Sequence, residues 1–151
     1  MIFLGILPVG ILFLDQSSKV WILRHPSPRE IIPGVLGVRL AKNTGAAFSL
    51  FSDQPAVTVL LSGCLLLGLI LFLLKMPLTR SQRLCGCMIA AGAFSNLLDR
   101  ILRGYVVDLI ELLFVRFAIF NVADIAVVVG TVLLMLSLFR HKDAKAGVHH
   151  G

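Results

Sequence analysis

Carboxylate side chains are the groups in this sequence best suited to chemistry. The chain has eight acidic residues in 151. Five of them lie within or beside long apolar segments, namely Asp15, Asp99, Asp108, Glu111 and Asp124. Two carboxylates held close together cannot both ionise cheaply, so one of them keeps a proton. Such a pair supplies a general acid and a general base, and a water held between them can attack a peptide carbonyl.

Other catalytic groups fit the sequence less well. His25 is the only histidine ahead of the C-terminal tail, so the chain has no H-E-x-x-H motif and no histidine pair for zinc. The cysteines are Cys64, Cys85 and Cys87. Because they lie in or next to apolar segments, we interpret them as packing residues rather than nucleophiles. A serine nucleophile at Ser49 or Ser52 stays open, although neither lies in a G-x-S-x-G motif.

Four apolar segments must position these groups. Hydrophobic residues make up 58% of the chain and charged residues 15%, more apolar surface than a soluble domain of this length can bury. The segments are residues 2–23, 55–74, 84–102 and 120–139. Each approaches the ~20 residues with which a helix crosses the hydrocarbon core. We therefore predict an all-α membrane protein with four transmembrane helices in one domain, residues 1–151.

The connections between these segments differ in character. Residues 24–54 and 103–119 are the longer ones, and residues 140–151 form a polar tail. Part of the first connection, residues 34–41, partly alternates between apolar and small or polar residues, which predicts short strands in a small β element. The first apolar segment lacks a basic leader and a small-x-small cleavage site, so we expect it to be retained.

Basic residues predict the orientation of the chain. The net charge is +6, but the basic residues flank apolar segments and form no patch with interleaved aromatic residues, so we expect no nucleic-acid partner. They concentrate in the short turn after the second segment and in the tail, as Lys75, Arg80, Arg83, Arg140, Lys142 and Lys145. The positive-inside rule then predicts cytoplasmic termini and two external longer connections. Most of the acids consequently lie near the outer face.

Polar residues recur at helical spacing near that face, as Asp15 and Lys19, as Asn96, Asp99 and Arg100, and as Asn121 and Asp124. Residues three or four apart share one face of a helix and can pair. An ionisable cluster near hydrocarbon is a candidate functional site, while the alternative is a set of interfacial anchors and interhelical ion pairs. These spacings alone do not select which two carboxylates would react. A transporter is a further alternative, but the second segment contains no charge and nothing polar beyond Thr58, Ser62, Cys64 and its glycines.

Five short motifs occur in order along the chain. They are Asp15–Lys19 (D-Q-x-S/T-K), Asn43–Ser49 (N-x-G-A-A-F-S), Asn96–Arg100 (N-x-x-D-R), Val106–Asp108 (V-x-D) and Phe120–Asp124 (F-N-x-A-D). With these motifs the chain resembles the lipoprotein signal peptidases, the type II signal peptidases of bacteria, over roughly residues 14–134.

The resemblance implies roles for particular residues. It implies that Asp108 and Asp124 are the catalytic pair. The residues implied to line or brace the site are Asn43, Gly45, Asn96, Asp99, Arg100, Asn121 and Ala123, with support from Asp15 and Lys19. It implies an aspartic endopeptidase without metal or cofactor.

The resemblance also implies partners and a location. The implied substrate is a diacylglyceryl-modified prolipoprotein, cut just before its lipidated cysteine. Membrane lipids and globomycin-type inhibitors are further implied partners, and we expect a monomer. The location implied is the bacterial inner membrane, with the site at the outer face.

One motif departs from the family pattern. The family has G-G-A-x-G before the asparagine of N-x-x-D-R, whereas this chain has Ala91 and Ser95 at the first and last glycine positions. Because both replacements add bulk where a helix or lipid could approach closely, we expect them to affect substrate fit rather than activity.

Overall fold

The computed structural model describes residues 2–45 and 54–146 of the chain. The helices are α1 (Ile2–Arg24), α2 (Pro55–Lys75), α3 (Arg80–Arg103) and α4 (Val122–Ala146). The strands are β1 (Arg29–Ile32), β2 (Leu36–Asn43) and β3 (Val106–Leu112). Each helix contains a segment long and apolar enough to cross a membrane, so the predicted four-helix membrane architecture is confirmed.

Helix α3 is delimited by local signals at both ends. It begins at Arg80, four residues before the apolar segment, because the Thr79 hydroxyl accepts a hydrogen bond from the Gln82 N–H and the Gln82 side chain accepts one from the Thr79 N–H. It ends at Arg103, and the next residue, Gly104, reverses the chain with a φ of 77°. Strand β3 therefore begins close to the end of α3.

Helices α1, α2 and α4 all pack against α3. Two glycines allow α3 and α4 to approach each other closely. A Cβ on Gly92 of α3 would lie 2.4 Å from the carbonyl oxygen of Ala123, and one on Gly130 of α4 would lie 3.0 Å from that of Cys85. Small residues let membrane helices pack closely where apolar lipid gives no driving force of its own. Asn96, one turn beyond Gly92, consequently reaches the start of α4.

The strands form one antiparallel sheet in the order β1-β2-β3. The sequence predicted a β element in the first connection, and the structure adds β3 from the second connection. Val107 and Leu109 of β3 pack with Ile22 of α1 in a buried cluster. Strand β3 was missed because residues on both of its faces are buried at its start, so its sequence does not alternate.

Candidate active site

Asp108 and Asp124 approach each other through one asparagine. Phe120 pairs with Ile110 of β3, which brings the following residue, Asn121, beside the strand. The Asn121 side chain donates to Asp108 Oδ1 at 2.7 Å. Its Oδ1 accepts from the Asp124 N–H at 2.8 Å, and Asp124 Oδ2 accepts from the Asn121 N–H at 3.2 Å. This reciprocal cap starts α4 and leaves the Asn121 amide free to hold the other carboxylate.

Two further asparagines orient the carboxylates. Asn43 lies diagonally across from Asp108 in the β2–β3 register and donates to its Oδ2 at 3.2 Å. Asn96 of α3 donates to Asp124 Oδ1 at 2.8 Å. Each carboxylate is thus held by amide donors from two different elements of the fold. Asp108 is 3% exposed, so its surroundings are largely shielded from water.

Arg100 closes one side of this arrangement. Its guanidinium donates to the carbonyl oxygens of Gly45 at 3.1 Å and Asn96 at 3.3 Å. Gly45 in turn donates its N–H to the Asn43 side chain at 3.2 Å. Asn96 and Arg100 therefore face the carboxylate pair together, as their spacing predicts, while Asp99 points towards α1.

Behind the carboxylate pair lies a fully buried ion cluster formed by Asp15, Lys19 and Asp99. The Lys19 ammonium contacts Asp15 Oδ2 at 2.6 Å and Asp99 Oδ2 at 2.9 Å, and all three side chains have no exposed surface. The ammonium also donates to Asn96 Oδ1 at 2.9 Å. Its three donors are thus all used, as a charge buried at this depth requires.

The buried cluster holds the backbone immediately before each candidate catalytic residue. Asp99 accepts from the N–H of Val107, the residue before Asp108, at 3.1 Å. Asp15 accepts from the N–H of Ala123, the residue before Asp124, at 2.8 Å. Asp15 and Asp99 consequently position the pair through the backbone rather than reaching the space between the two carboxylates.

Three side chains that contact this cluster were not among the predicted site residues: Gln16, Ser95 and Arg103. Fully buried Ser95 donates to Asp15 Oδ2 at 2.7 Å and accepts from the Gln16 amide at 2.9 Å. The Gln16 amide also donates to Asp99 Oδ1 at 3.1 Å, and Arg103 forms an ion pair with Asp99. Each of them lies within the D-Q-x-S/T-K or N-x-x-D-R motif or within one helical turn of it. This proximity is the sequence feature that could have identified them.

The expectation that Ala91 and Ser95 affect substrate fit is not supported by where they lie. Ala91 packs with Ile11 and Ala126 in the core between helices, and Ser95 faces the ion cluster. Both side chains are directed into the helix bundle, so their added bulk is absorbed by protein contacts. The Ser95 hydroxyl instead adds a hydrogen bond to a buried carboxylate.

Burial shifts the acidity of Asp108, which lies outside the membrane-spanning helices. Its pKa is raised to about 6, first because burial disfavours the charged carboxylate and second because of the negative charge of Asp124. Hydrogen bonds from Asn43 and Asn121 and the charge of Lys19 oppose the rise. The site can therefore hold a proton on Asp108 in mildly acidic conditions.

The other candidate groups lie apart from the pair or outside the described residues. Cys85 and Cys87 are at least nine residues from Asn96 on α3, roughly 13 Å along the axis. Ser49 and Ser52 lie outside the residues that the structure describes. Within residues 2–45 and 54–146, no group of three His, Cys, Asp or Glu side chains is arranged to hold a metal ion.

Fold and site together define a multi-pass membrane protein whose carboxylates and asparagines gather at one end of its helix bundle. The chain belongs to the signal peptidase II family, because the family described as Signal peptidase (SPase) II matches residues 7–140. The resemblance seen in the five motifs is thereby confirmed.

Known relatives agree with this assignment. The chain is 39% identical over 134 residues to the lipoprotein signal peptidase of Streptococcus pyogenes serotype M1, covering 86% of this chain and 88% of that one. The serotype M6 enzyme is 40% identical over 138 residues, with the same coverage. The protein is thus a membrane peptidase that removes signal peptides from prolipoproteins.

Solved structures resemble the fold as a whole. One is a bacterial membrane enzyme at 2.3 Å resolution, with a TM-score of 0.85, 27% identity and coverage of 93% of this chain and 89% of that one. Another, at 1.9 Å resolution, has a TM-score of 0.80, 28% identity and coverage of 88% and 90%.

Proposed function

We propose that the protein is an aspartic endopeptidase with Asp108 and Asp124 as its catalytic pair. The observation that carries this proposal is that Asn121 bonds both carboxylates at once. Among the acids whose side chains the structure describes, Asp15, Asp99 and Glu111 are committed to ion pairs, and neither Asp108 nor Asp124 is. The remaining one, Glu30, is exposed on β1 and accepts only from the Gly34 N–H. Their oxygens are held by neutral amides, which leaves both groups able to exchange protons.

In the proposed reaction the two carboxyl groups share one proton. Asp108, with its raised pKa, holds the shared proton, and Asp124 accepts a proton from a water between them. The water oxygen bonds to the scissile carbonyl carbon while Asp108 donates its proton to the carbonyl oxygen. A proton then passes from Asp124 to the amide nitrogen and the C–N bond breaks, while a hydroxyl proton of the tetrahedral intermediate returns to Asp108. A carboxylic acid and a free amine leave, and the pair holds a single proton on Asp108 again. No covalent enzyme intermediate forms.

The proposed substrate is a diacylglyceryl-modified prolipoprotein, cut just before the lipidated cysteine. Asp124 lies in the first turn of a membrane-spanning helix, so a scissile bond must be held at that depth. A buried acyl chain contributes about 0.8 kcal/mol per CH₂ to membrane binding. The lipid would therefore hold the peptide where reaction requires it, and positioning is a large part of rate enhancement.

Removing the substrate's lipid is expected to lower kcat/KM by about tenfold or more, equal to roughly 1.4 kcal/mol of transition-state binding. The measurement compares matched precursors with and without the diacylglyceryl group in one detergent. As a control, an unlipidated precursor with a scrambled sequence around the cysteine should not be cut. Equal values for the matched pair would show that peptide sequence alone places the substrate.

The alkaline side of the pH profile should report the proton on Asp108. Because the raised pKa keeps Asp108 protonated below about 6, the acid form is lost as pH rises through that value. We expect kcat/KM to fall by about tenfold per pH unit on this limb. Asn43→Ala removes a hydrogen bond that favours the ionised form, so its limb should move to higher pH. A limb that stays in place or moves down would contradict this assignment.

We propose that both termini are cytoplasmic and that the site opens at the outer face of the inner membrane. The basic residues where α2 ends and α3 begins, and those in the C-terminal part of α4, support this orientation. A reporter fused after His141 is expected to be active in its cytoplasmic form only. Activity of a periplasmic reporter at that position would reverse the topology.

A further inference from the structure

A groove separate from the carboxylate pair runs along one side of α1, beside Leu98 of α3. Its volume is about 710 Å³. Its walls are mainly apolar, with Val9, Phe13 and Val20 along α1. Neither Asp108 nor Asp124 lines it. Val9 and Phe13 are more than 60% exposed, so lipid tails in a bilayer would have direct access to the groove.

The groove is polarised along the helix. Its apolar part begins at Val9, and it ends at Arg24 and His25, about 22 Å further along the axis. Trp21 stacks on His25 with ring centroids 5.5 Å apart, and its carbonyl oxygen lies 3.0 Å from His25 Nδ1. Tryptophan is typical of the membrane interface, so Trp21 marks the level at which the groove passes from hydrocarbon to headgroups.

The positive charge of Arg24 at this end of the groove is suited to binding an anion. Within the part of the chain that the structure describes, no carboxylate lies within ion-pair distance of Arg24 or His25. The nearby Arg103, by contrast, is committed to Asp99. A phospholipid with an anionic headgroup presents a phosphate above long acyl chains, in the same order as the lining of the groove. A neutral diacylglyceryl group has the chains but no phosphate.

We propose that this groove is a binding site for an anionic phospholipid, with its phosphate on Arg24 and an acyl chain along Val20, Phe13 and Val9. The site does not depend on the proposed catalytic pair. Such a site differs from general lipid contact because it selects lipids by the charge of the headgroup. The selectivity arises because basic residues at a membrane surface attract anionic lipid.

Trp21 is the only tryptophan in the chain, so its fluorescence reports on this groove alone. The protein is reconstituted into phosphatidylcholine vesicles that contain, as a minor component, lipid with brominated tails, either phosphatidylglycerol or phosphatidylcholine. Brominated phosphatidylglycerol should occupy the groove about fivefold more strongly than brominated phosphatidylcholine. Arg24→Gln should abolish this preference, and Arg24→Lys should retain it.

Arg140→Gln is the matched control, since it removes the same charge from the C-terminal part of α4, far from the groove, and should keep the preference. High salt offers a test on the unchanged protein, because screening should bring quenching by the two lipids close together. Equal quenching by the two lipids in the wild type would overturn the proposal, as would a preference that survives Arg24→Gln. The first result would mean that the groove holds bulk lipid without selectivity, and the second that Arg24 does not hold the phosphate.

Discussion

Asp108→Asn and Asp124→Asn are each expected to lower kcat by about 10³-fold, within the range that general acid–base catalysis contributes. An amide keeps the shape of the side chain and can still bond Asn121. It cannot give or take the proton that the pair shares. The measurement is turnover of a lipidated precursor by purified protein in detergent, with thermal unfolding recorded to show that each variant is folded.

Glu111→Gln provides a matched control for this loss. Glu111 lies three residues after Asp108 on β3 and pairs with Arg39 at 2.7 Å, away from Asn121. Removing its charge should leave kcat nearly unchanged. If a folded Asp108→Asn or Asp124→Asn variant kept substantial turnover, that residue would be excluded from the catalytic pair.

Lys19→Met is expected to destabilise the protein by about 3–5 kcal/mol, the range seen when one partner of a buried ion pair is removed. Methionine fills most of the volume of lysine, so the loss arises from charge and not from a cavity. Asp15 would lose its cation, and Asp99 would retain only Arg103. The measurement is the free energy of unfolding in detergent, compared with that of Lys75→Met at the exposed end of α2.

A second substitution separates charge from packing in this experiment. Adding Asp15→Asn to Lys19→Met removes the carboxylate that the first change leaves unpaired, so part of the lost stability should return. The non-additivity of the two changes measures the coupling between the side chains. A Lys19→Met variant as stable as Lys75→Met would show that the cluster contributes no stability at this position.

Predictions that rest on local features of the sequence agree with the structure. The four membrane helices follow from apolar runs of sufficient length, since hydrogen bonds in a helix close within the segment itself. Asp15 and Lys19 pair because they are four residues apart on one helix. Asn121 and Asp124 bond each other for a similar reason, three residues apart at the start of α4. Such contacts need no information from elsewhere in the chain.

Contacts between distant segments required the tertiary structure. The third strand, β3, was not predicted, because burial on both faces removed the alternation that identifies a strand. The Asn43 contact with Asp108 depends on the β2–β3 register, which contains an irregularity between Val38 and Ala41. Ser95 was noted only for its bulk, because nothing in the sequence places its hydroxyl against Asp15, 80 residues away.

By itself, the sequence determined the number of membrane helices, the set of polar residues at one end of them and, through its five motifs, the family. The tertiary structure decided how the acids divide between two tasks. Asp15 and Asp99 are enclosed with Lys19 in the ion cluster, whereas Asp108 and Asp124 are held by asparagine amides. All four are aspartates in polar motifs, so residue type cannot separate them. Their chemistry differs because a carboxylate is defined by the charges and donors around it, and packing supplies those from other segments.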